Sequence, residues 1–232
     1  MIGRFGARAI LYSLLGVIAC SAAGCAAIGL AAYKLTPPET IKPQYTNLVN
    51  QTVGVMVWAD RGIRIDWPTL QLDLANNIQK KLQAIQTDKD EKKNALPLTG
   101  TTFPYPAASI VRYQRDHPEL EALPVGDVAP RLGVSRLIYV EVQTFATRSD
   151  MSVDLYRGIA RANVKVFEIQ DGKATMAHEW NNVVASFPPK SPPEGQPGIG
   201  DARTYAGTVD TAGTEIEHLF VSYQVEPEMS QK

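Results

Sequence analysis

The chain has 232 residues, 44% of them apolar and 20% charged, with 23 basic and 24 acidic side chains. That balance excludes a disordered polyelectrolyte, and with no basic stripe along the chain nucleic acid is not an expected partner. The two cysteines, Cys20 and Cys25, both fall in the first 34 residues, so the rest of the chain offers neither a disulfide nor a thiolate ligand for zinc or an iron–sulfur cluster.

Arg4 and Arg8 are the only charged residues before Lys34, and Ala9 to Tyr33 is uncharged and mostly apolar. A positive start, an apolar middle from Ile10 to Ile18, and small residues at Ala22-Ala23-Gly24 are the parts of a secretory leader. Small side chains let an extended backbone enter a peptidase. The residue after that cut is Cys25, whose thiol can carry a thioether-linked diacylglycerol. Ser21-Ala22-Ala23-Gly24-Cys25 resembles the lipobox of bacterial lipoproteins, with Ala22 where that family favours leucine, and Val17-Ile18-Ala19-Cys20 is a second match. The resemblance implies lipid attachment at Cys25, with Cys20 as the alternative, and Ala26 is compatible with transfer to an outer membrane. An uncleaved membrane helix stays open, since about 20 apolar residues span a bilayer core, as does ordinary cleavage. In each case the positive N-terminus places the following domain outside the cytoplasm. The expected location is the cell envelope, anchored by lipid to the outer or inner membrane, with the domain facing the periplasm.

The expected organisation is a leader over 1–24, a lipid-anchor cysteine and proline-containing tether over 25–50, one α/β domain over 51–223 and a free tail over 224–232. Without Arg4 and Arg8 the remainder has 21 basic and 24 acidic residues, a net charge of −3. About 200 residues are enough for one domain with a substantial core. Thr36-Pro37-Pro38-Glu39 opens the tether, and from Leu35 to Asn47 it reaches roughly 40 Å at most. Val53 to Trp58 is apolar on both alternating faces, which predicts an inner strand covered on two sides. Asp66 then offers a helix cap before Pro68, and Leu70, Leu74, Ile78 and Leu82 form one stripe of an amphipathic helix. Asp88 to Asn94 is a charged turn. Leu96 to Phe103 has the composition of a short strand, broken by Pro104 and Pro106.

A short helix over Ala107 to Arg115 stops at His117-Pro118. Val125 to Leu132 predicts a further helical turn ended by Gly133 in a left-handed cap. Leu137 to Phe145 is strand-like. Ala160, Ala162, Val164 and Val166 alternate with Arg161, Asn163 and Lys165, a period of two that means one dry face. Asp171-Gly172 supplies a hairpin turn, and Ala174 to Phe187 returns as the partner strand with a bulge near Asn181-Asn182. Pro188 to Gly200 is a loop. Ala206, Val209, Ala212, Ile216, Leu219 and Phe220 mark a last helix. The order predicts an α/β (α+β) fold: a mixed sheet of four to five strands with helices packed on it.

Three segments carry a second resemblance: Val53 to Trp58 ahead of a helix, Arg131-Leu132-Gly133 running into Leu137-Ile138-Tyr139-Val140-Glu141-Val142, and Ala162 to Phe167 running into Asp171-Gly172-Lys173. Over roughly Thr52 to Tyr223 the chain resembles the α/β domain shared by curli-secretion lipoproteins (CsgG type), penicillin-binding-protein activators (LpoB type) and the TolB N-terminal domain. The resemblance implies an envelope lipoprotein that binds other proteins without catalysis. No pair of long alternating hairpins is read here, so a pore is not expected, and the short tether does not suit regulation of a distant synthase.

The chemistry-bearing residues point the same way. His117, His178 and His218 have no ligand-like partners at helical or strand spacing, and no metal or cofactor is expected. No G-x-S-x-G elbow or phosphate loop is present. Asp60 and Asp66 follow the first strand and could pair as acid and base, although Asp66 reads better as a cap and Asp60 as a turn residue. Trp58, Trp67 and Trp180 are core candidates. Trp58, Asp60 and Arg61 form the candidate docking tip, because aromatic and arginine anchors suit interfaces. The leading expectation is a membrane-anchored envelope lipoprotein with a protein-binding or assembly role. An exported hydrolase with a site near Asp60, and a small-ligand or cell-wall binding module, are the alternatives.

Overall fold

The structure is a computed structural model that describes residues 39–87, 98–149 and 152–225. The leader with Cys20 and Cys25, the start of the tether, the charged turn from Asp88 and the chain beyond Val225 lie outside the described residues. Contacts divide the chain into two units. In the smaller, strand β1 (Glu39–Ile41) pairs antiparallel with the C-terminal strand β6 (Tyr223–Val225), Thr40 opposite Gln224. Gln224, expected to open a free tail, is thus the middle of a short strand.

The larger unit, 42–222, is built on a four-stranded sheet in the order β2-β3-β4-β5. Strand β2 (Val53–Ala59) lies parallel to β3 (Arg136–Ser149). Strands β3, β4 (Ser152–Gln170) and β5 (Lys173–Phe187) form an antiparallel meander. This is the expected mixed α/β class, with five α-helices among the described residues. The Asp171-Gly172 turn has both φ angles positive, 51° and 72°, the signature of a two-residue hairpin whose twist matches its strands. The bulge also forms where expected. The register passes from Ala162 opposite Val183 to Val164 opposite Trp180, and the Asn182 N–H donates to Asn163 Oδ1 at 3.0 Å.

One face of the sheet is dry. Val53, Val55 and Val57 of β2, Ile138, Val140 and Val142 of β3, and Val164 and Val166 of β4 are all buried there. Helix α2 (Leu70–Thr87) lays its predicted stripe on them; Ile78 and Leu82 are 0% exposed. Each such side chain contributes roughly 1.5–3 kcal/mol on burial. Helix α5 (Asp201–Glu217) packs beside α2 with Val209, Ala212 and Ile216 inward. The two helices are stitched by Lys81 Nζ to Asp210 Oδ1 at 2.9 Å and by the Tyr205 hydroxyl donating to Asp73 at 2.7 Å. They touch closely at Gly213, where an added Cβ would stand 1.9 Å from Asn77 Oδ1.

The larger unit departs from expectation in four further places. Asp66 caps no helix: it ends a short helix α1 (Arg61–Asp66), and Asp60 is the N-cap, its Oδ1 accepting from the Ile63 N–H at 2.8 Å. Asp60 is the first carboxylate beyond β2, while Trp67, preceding Pro68, is held away from helical geometry at φ −131°, ψ 71°, so the helical run breaks there. Leu96 and Pro97 lie outside the described residues; over 98–103 the expected strand is a single bridge between Thr52 and Thr102, because Pro104 has no N–H to extend it. Tyr45 and Leu48, within the expected tether, are buried in the core. Strands β3 and β4 run far past the apolar alternation, making a long hairpin that was not foreseen. Its outer part is held by polar contacts: Arg148 pairs with Asp201, Thr147 Oγ1 donates to the same carboxylate at 3.0 Å, and Tyr156 exchanges backbone hydrogen bonds with Gln196. Hydrophobic period does not report such a strand.

Candidate functional site

The second face of the sheet carries the cleft. Trp58 of β2 lies beside Glu141 of β3 in the parallel register, and Met56 lies beside Tyr139. These four side chains form its floor. The roof comes from helix α3 (Ala107–Asp116) through Gln114, from the helical turn after it through Leu120 and Glu121, and from the short helix α4 (Val125–Val128) through Val128. The volume is about 160 Å³. It lies over the stretch where β2 and β3 pair in parallel, reaching Trp58, one residue before the end of β2.

Local sequence explains each wall. Tyr139 and Leu137 continue one face of β3 into an apolar cluster with Ile110, Leu120 and Val128. Glu141 follows at the same period and interrupts that face with a carboxylate. Pro118 opens a 3-10 turn over Pro118–Ala122, which buries Leu120 and leaves Glu121 at the rim. Arg64 of α1 grips Glu121 with both terminal nitrogens, at 2.5 and 3.1 Å. The Arg64 Nε is buried with no acceptor among the described residues, and Arg64 itself does not line the cleft. The Gln114 amide nitrogen donates to the Val57 carbonyl at 3.1 Å, leaving Gln114 Oε1 buried without a donor among the described residues. Burial raises the Tyr139 phenol above its ordinary range, and the charge of Glu141 adds to that. The phenol is therefore neutral at neutral pH, and it lines the cleft together with the Trp58 indole, the Gln114 side chain, Glu121 and Glu141.

The expected docking trio is split by the structure. Trp58 is half-buried in the cleft wall. Asp60 is exposed and caps α1, and Arg61 begins that helix, exposed to solvent. Asp60 and Asp66 sit at opposite ends of α1, one at the cap and one at the last turn. Trp67 and Trp180 pack against the main core, Trp67 stacking on Tyr205 at 5.5 Å and Trp180 meeting Phe220 at 5.6 Å. The histidines stay separate. His117 faces Glu119 at 3.0 Å, His178 lies against Trp180 at 4.2 Å, and His218 is 4.0 Å from Glu215. Among the described residues no group of three His, Cys, Asp or Glu side chains could hold a metal. Gln114, Glu121, Tyr139 and Glu141 were not foreseen. The one signal for them in the sequence is Glu141 itself, a carboxylate in phase with Leu137 and Tyr139.

A second polar cluster is structural. Arg136, 7% exposed, donates to the Asn47 and Ser135 carbonyls and faces Glu168 at 3.5 Å, and the Tyr45 hydroxyl donates to the same Glu168 at 2.8 Å. The contacts tie the entering chain to the start of β3.

No family model matches the chain, and no curated protein matches it. Similar solved structures include the hypothetical protein CT253 from Chlamydia trachomatis, at 20% identity over 59% of this chain and 72% of that one, TM-score 0.34. A PelC dodecamer from Paraburkholderia phytofirmans matches at 9% identity over 80% of this chain and 97% of that one, TM-score 0.38. Lipoprotein GNA1162 from Neisseria meningitidis matches at 9% identity over 58% and 80%, TM-score 0.36. At these scores the likeness is too loose to carry a fold family or a function to this chain. Among the described residues no helix is long and apolar enough to cross a membrane, which leaves strand-built membrane proteins unaddressed.

Proposed function

We propose that this protein is a lipid-anchored lipoprotein of a bacterial cell envelope, and that its α/β domain is a binding module that docks a partner protein at the Trp58 cleft. The observation that carries the docking is the cleft itself: a half-buried tryptophan beside a carboxylate and a buried amide oxygen without a donor. Anchors of this type, aromatic and partly desolvated, dominate binding energy in protein interfaces. Among the described residues the lining has no serine, threonine, cysteine, histidine or aspartate to serve as nucleophile with a base, and one of its two carboxylates is held by Arg64. That supports binding over catalysis, as does the employment of Asp60 as a helix cap. The leader with Cys25, and Cys20 as the alternative, supports the anchor. The resemblance to the CsgG, LpoB and TolB group supports an accessory role in the envelope.

Two measurements test this. Growth with an alkyne palmitate analogue should label the wild-type chain and not Cys25→Ala; label that persists until Cys20→Ala is added moves the anchor to Cys20, and an unlabelled cytosolic wild type defeats the anchor. A photo-crosslinking residue at Glu121, on the rim, should capture a small set of envelope proteins in intact cells, and Trp58→Ala should abolish the capture. Capture unchanged by Trp58→Ala defeats the docking surface.

A further inference from the structure

We infer that the cleft seats one basic side chain, a lysine or an arginine, projected by the partner protein. The inference rests on the cleft being the docking surface, and adds the chemistry of what enters it. The charged side chains lining the cleft are Glu121 and Glu141. Glu121 is neutralised by the two-toothed contact with Arg64. Glu141 has no ion pair and no side-chain hydrogen bond among the described residues, although it is half-buried between Trp58 on β2 and Asn163 on β4. A carboxylate set against indole and phenol rings is poorly solvated, and a cation brought to it recovers that loss.

The other unmet group has the same polarity. Val57 commits the Gln114 amide nitrogen, so the buried atom left over is an acceptor. The faces of Trp58 and Tyr139 attract positive charge as well. Carboxylate, amide oxygen and aromatic faces together ask for a donor-rich cation. A neutral ligand would leave Glu141 unpaired, and an acidic one would be repelled by it. The cleft's volume, about 160 Å³, holds the end of one long side chain and excludes a folded segment.

The test uses the full-length chain in detergent micelles. The indole N–H resonance of Trp58, assigned by its loss in Trp58→Phe, is followed by NMR during titration with capped Ala-Arg-Ala, Ala-Lys-Ala and the neutral isostere Ala-citrulline-Ala. The arginine or lysine peptide should shift the resonance saturably, the tighter of the two identifying the side chain. The citrulline peptide should bind at least about tenfold more weakly, as should the basic peptides to Glu141→Gln. Raising the salt should weaken the basic peptides on the unmutated protein. Equal binding of citrulline, unchanged affinity in Glu141→Gln, or no shift with any peptide overturns the inference. If these fail while Trp58-dependent cross-linking persists, the docking surface stands and only its cation is wrong; if the cross-linking fails too, the surface itself is wrong.

Discussion

The two faces of the sheet are covered by different kinds of structure. Two long helices, α2 and α5, close the first face, mainly with apolar side chains such as Leu74, Ile78, Leu82, Val209 and Ile216. The second face is covered over β2 and β3 by a ten-residue helix and several single turns, and there a cleft stays open between Trp58, Tyr139 and Glu141. A long amphipathic helix seals a sheet because its stripe repeats in step with the strands beneath. Short turns point their side chains in several directions and leave gaps. Buried apolar side chains are therefore concentrated on the first face, while among the described residues buried polar atoms without a partner occur on both sides, Gln114 Oε1 by the cleft and Asn77 Oδ1 at the seam of α2 and α5.

The sharpest way to break this contrast is at the bottom of the dry face. Phe220 is fully buried, with its ring against Tyr45 at 6.3 Å and Trp180 at 5.6 Å. Phe220→Ala should cost about 3–5 kcal/mol in urea unfolding, without altering basic-peptide binding by whatever fraction stays folded. A loss under 1 kcal/mol would mean that this face is not where stability resides. Overpacking probes the same face from the other side. An added Cβ at Gly158 of β4 would stand 1.7 Å from Thr208 Oγ1 of α5. Gly158→Ala should destabilise by about 1–3 kcal/mol, and Gly158→Ala with Thr208→Ala should recover part of it.

The dry face is also the part that was legible in the sequence. Leu70, Leu74, Ile78 and Leu82 announce α2 by spacing alone, and Val164 and Val166 announce β4. Asp171-Gly172 and Gly133 are read from conformations that few residues tolerate; Gly133 has φ 64°. The cap at Asp60 was missed because Asp66 with Pro68 is an equally good local signal, and only the fold decides which carboxylate meets free N–H groups. The outer hairpin was missed because Arg148 with Asp201, and Tyr156 with Gln196, hold it by contacts across forty or more positions of chain. The cleft was half legible. Trp58 stood out by type, yet its pairing with Glu141 is a fact of strand register, and Gln114 and Glu121 reach the site from elements whose docking no local pattern encodes.

The open face can be sharpened by removing its charge. Glu141→Leu replaces a half-buried carboxylate without an ion-pair partner by a side chain that matches Leu120 and Val128 across the cleft. It should raise stability by about 1 kcal/mol while abolishing the response to arginine and lysine peptides. Stability and binding would then move in opposite directions at one position, as expected where a poorly placed charge is kept for a ligand. A fall in stability would show that Glu141 serves the fold.

The smallest expected effect lies at the outer edge of the dry face, where α5 ends. Burial, and then the positive charge of Lys81, lower the pKa of His218. A group whose folded pKa lies below its unfolded value stabilises the fold above the unfolded value, about 6.5 for histidine. That stability is lost as pH falls through the folded value. Its neighbour Glu215 works in the other sense: burial raises its pKa, so acidification relieves a cost. Asp210, lowered by its hydrogen bond from Lys81, loses its contribution only in the carboxylate range. Of the three, only histidine has an ordinary value near neutral pH, about 6.5, so protonation of the unfolded His218 opens the loss on the way down. His218→Gln should therefore flatten the loss of melting temperature between pH 7 and pH 5.5 while leaving the loss below pH 4 in place. An unchanged slope between pH 7 and 5.5 would mean that the ring accepts its proton in the folded state as readily as in water, and that this rim of the dry face is wetter than its packing shows.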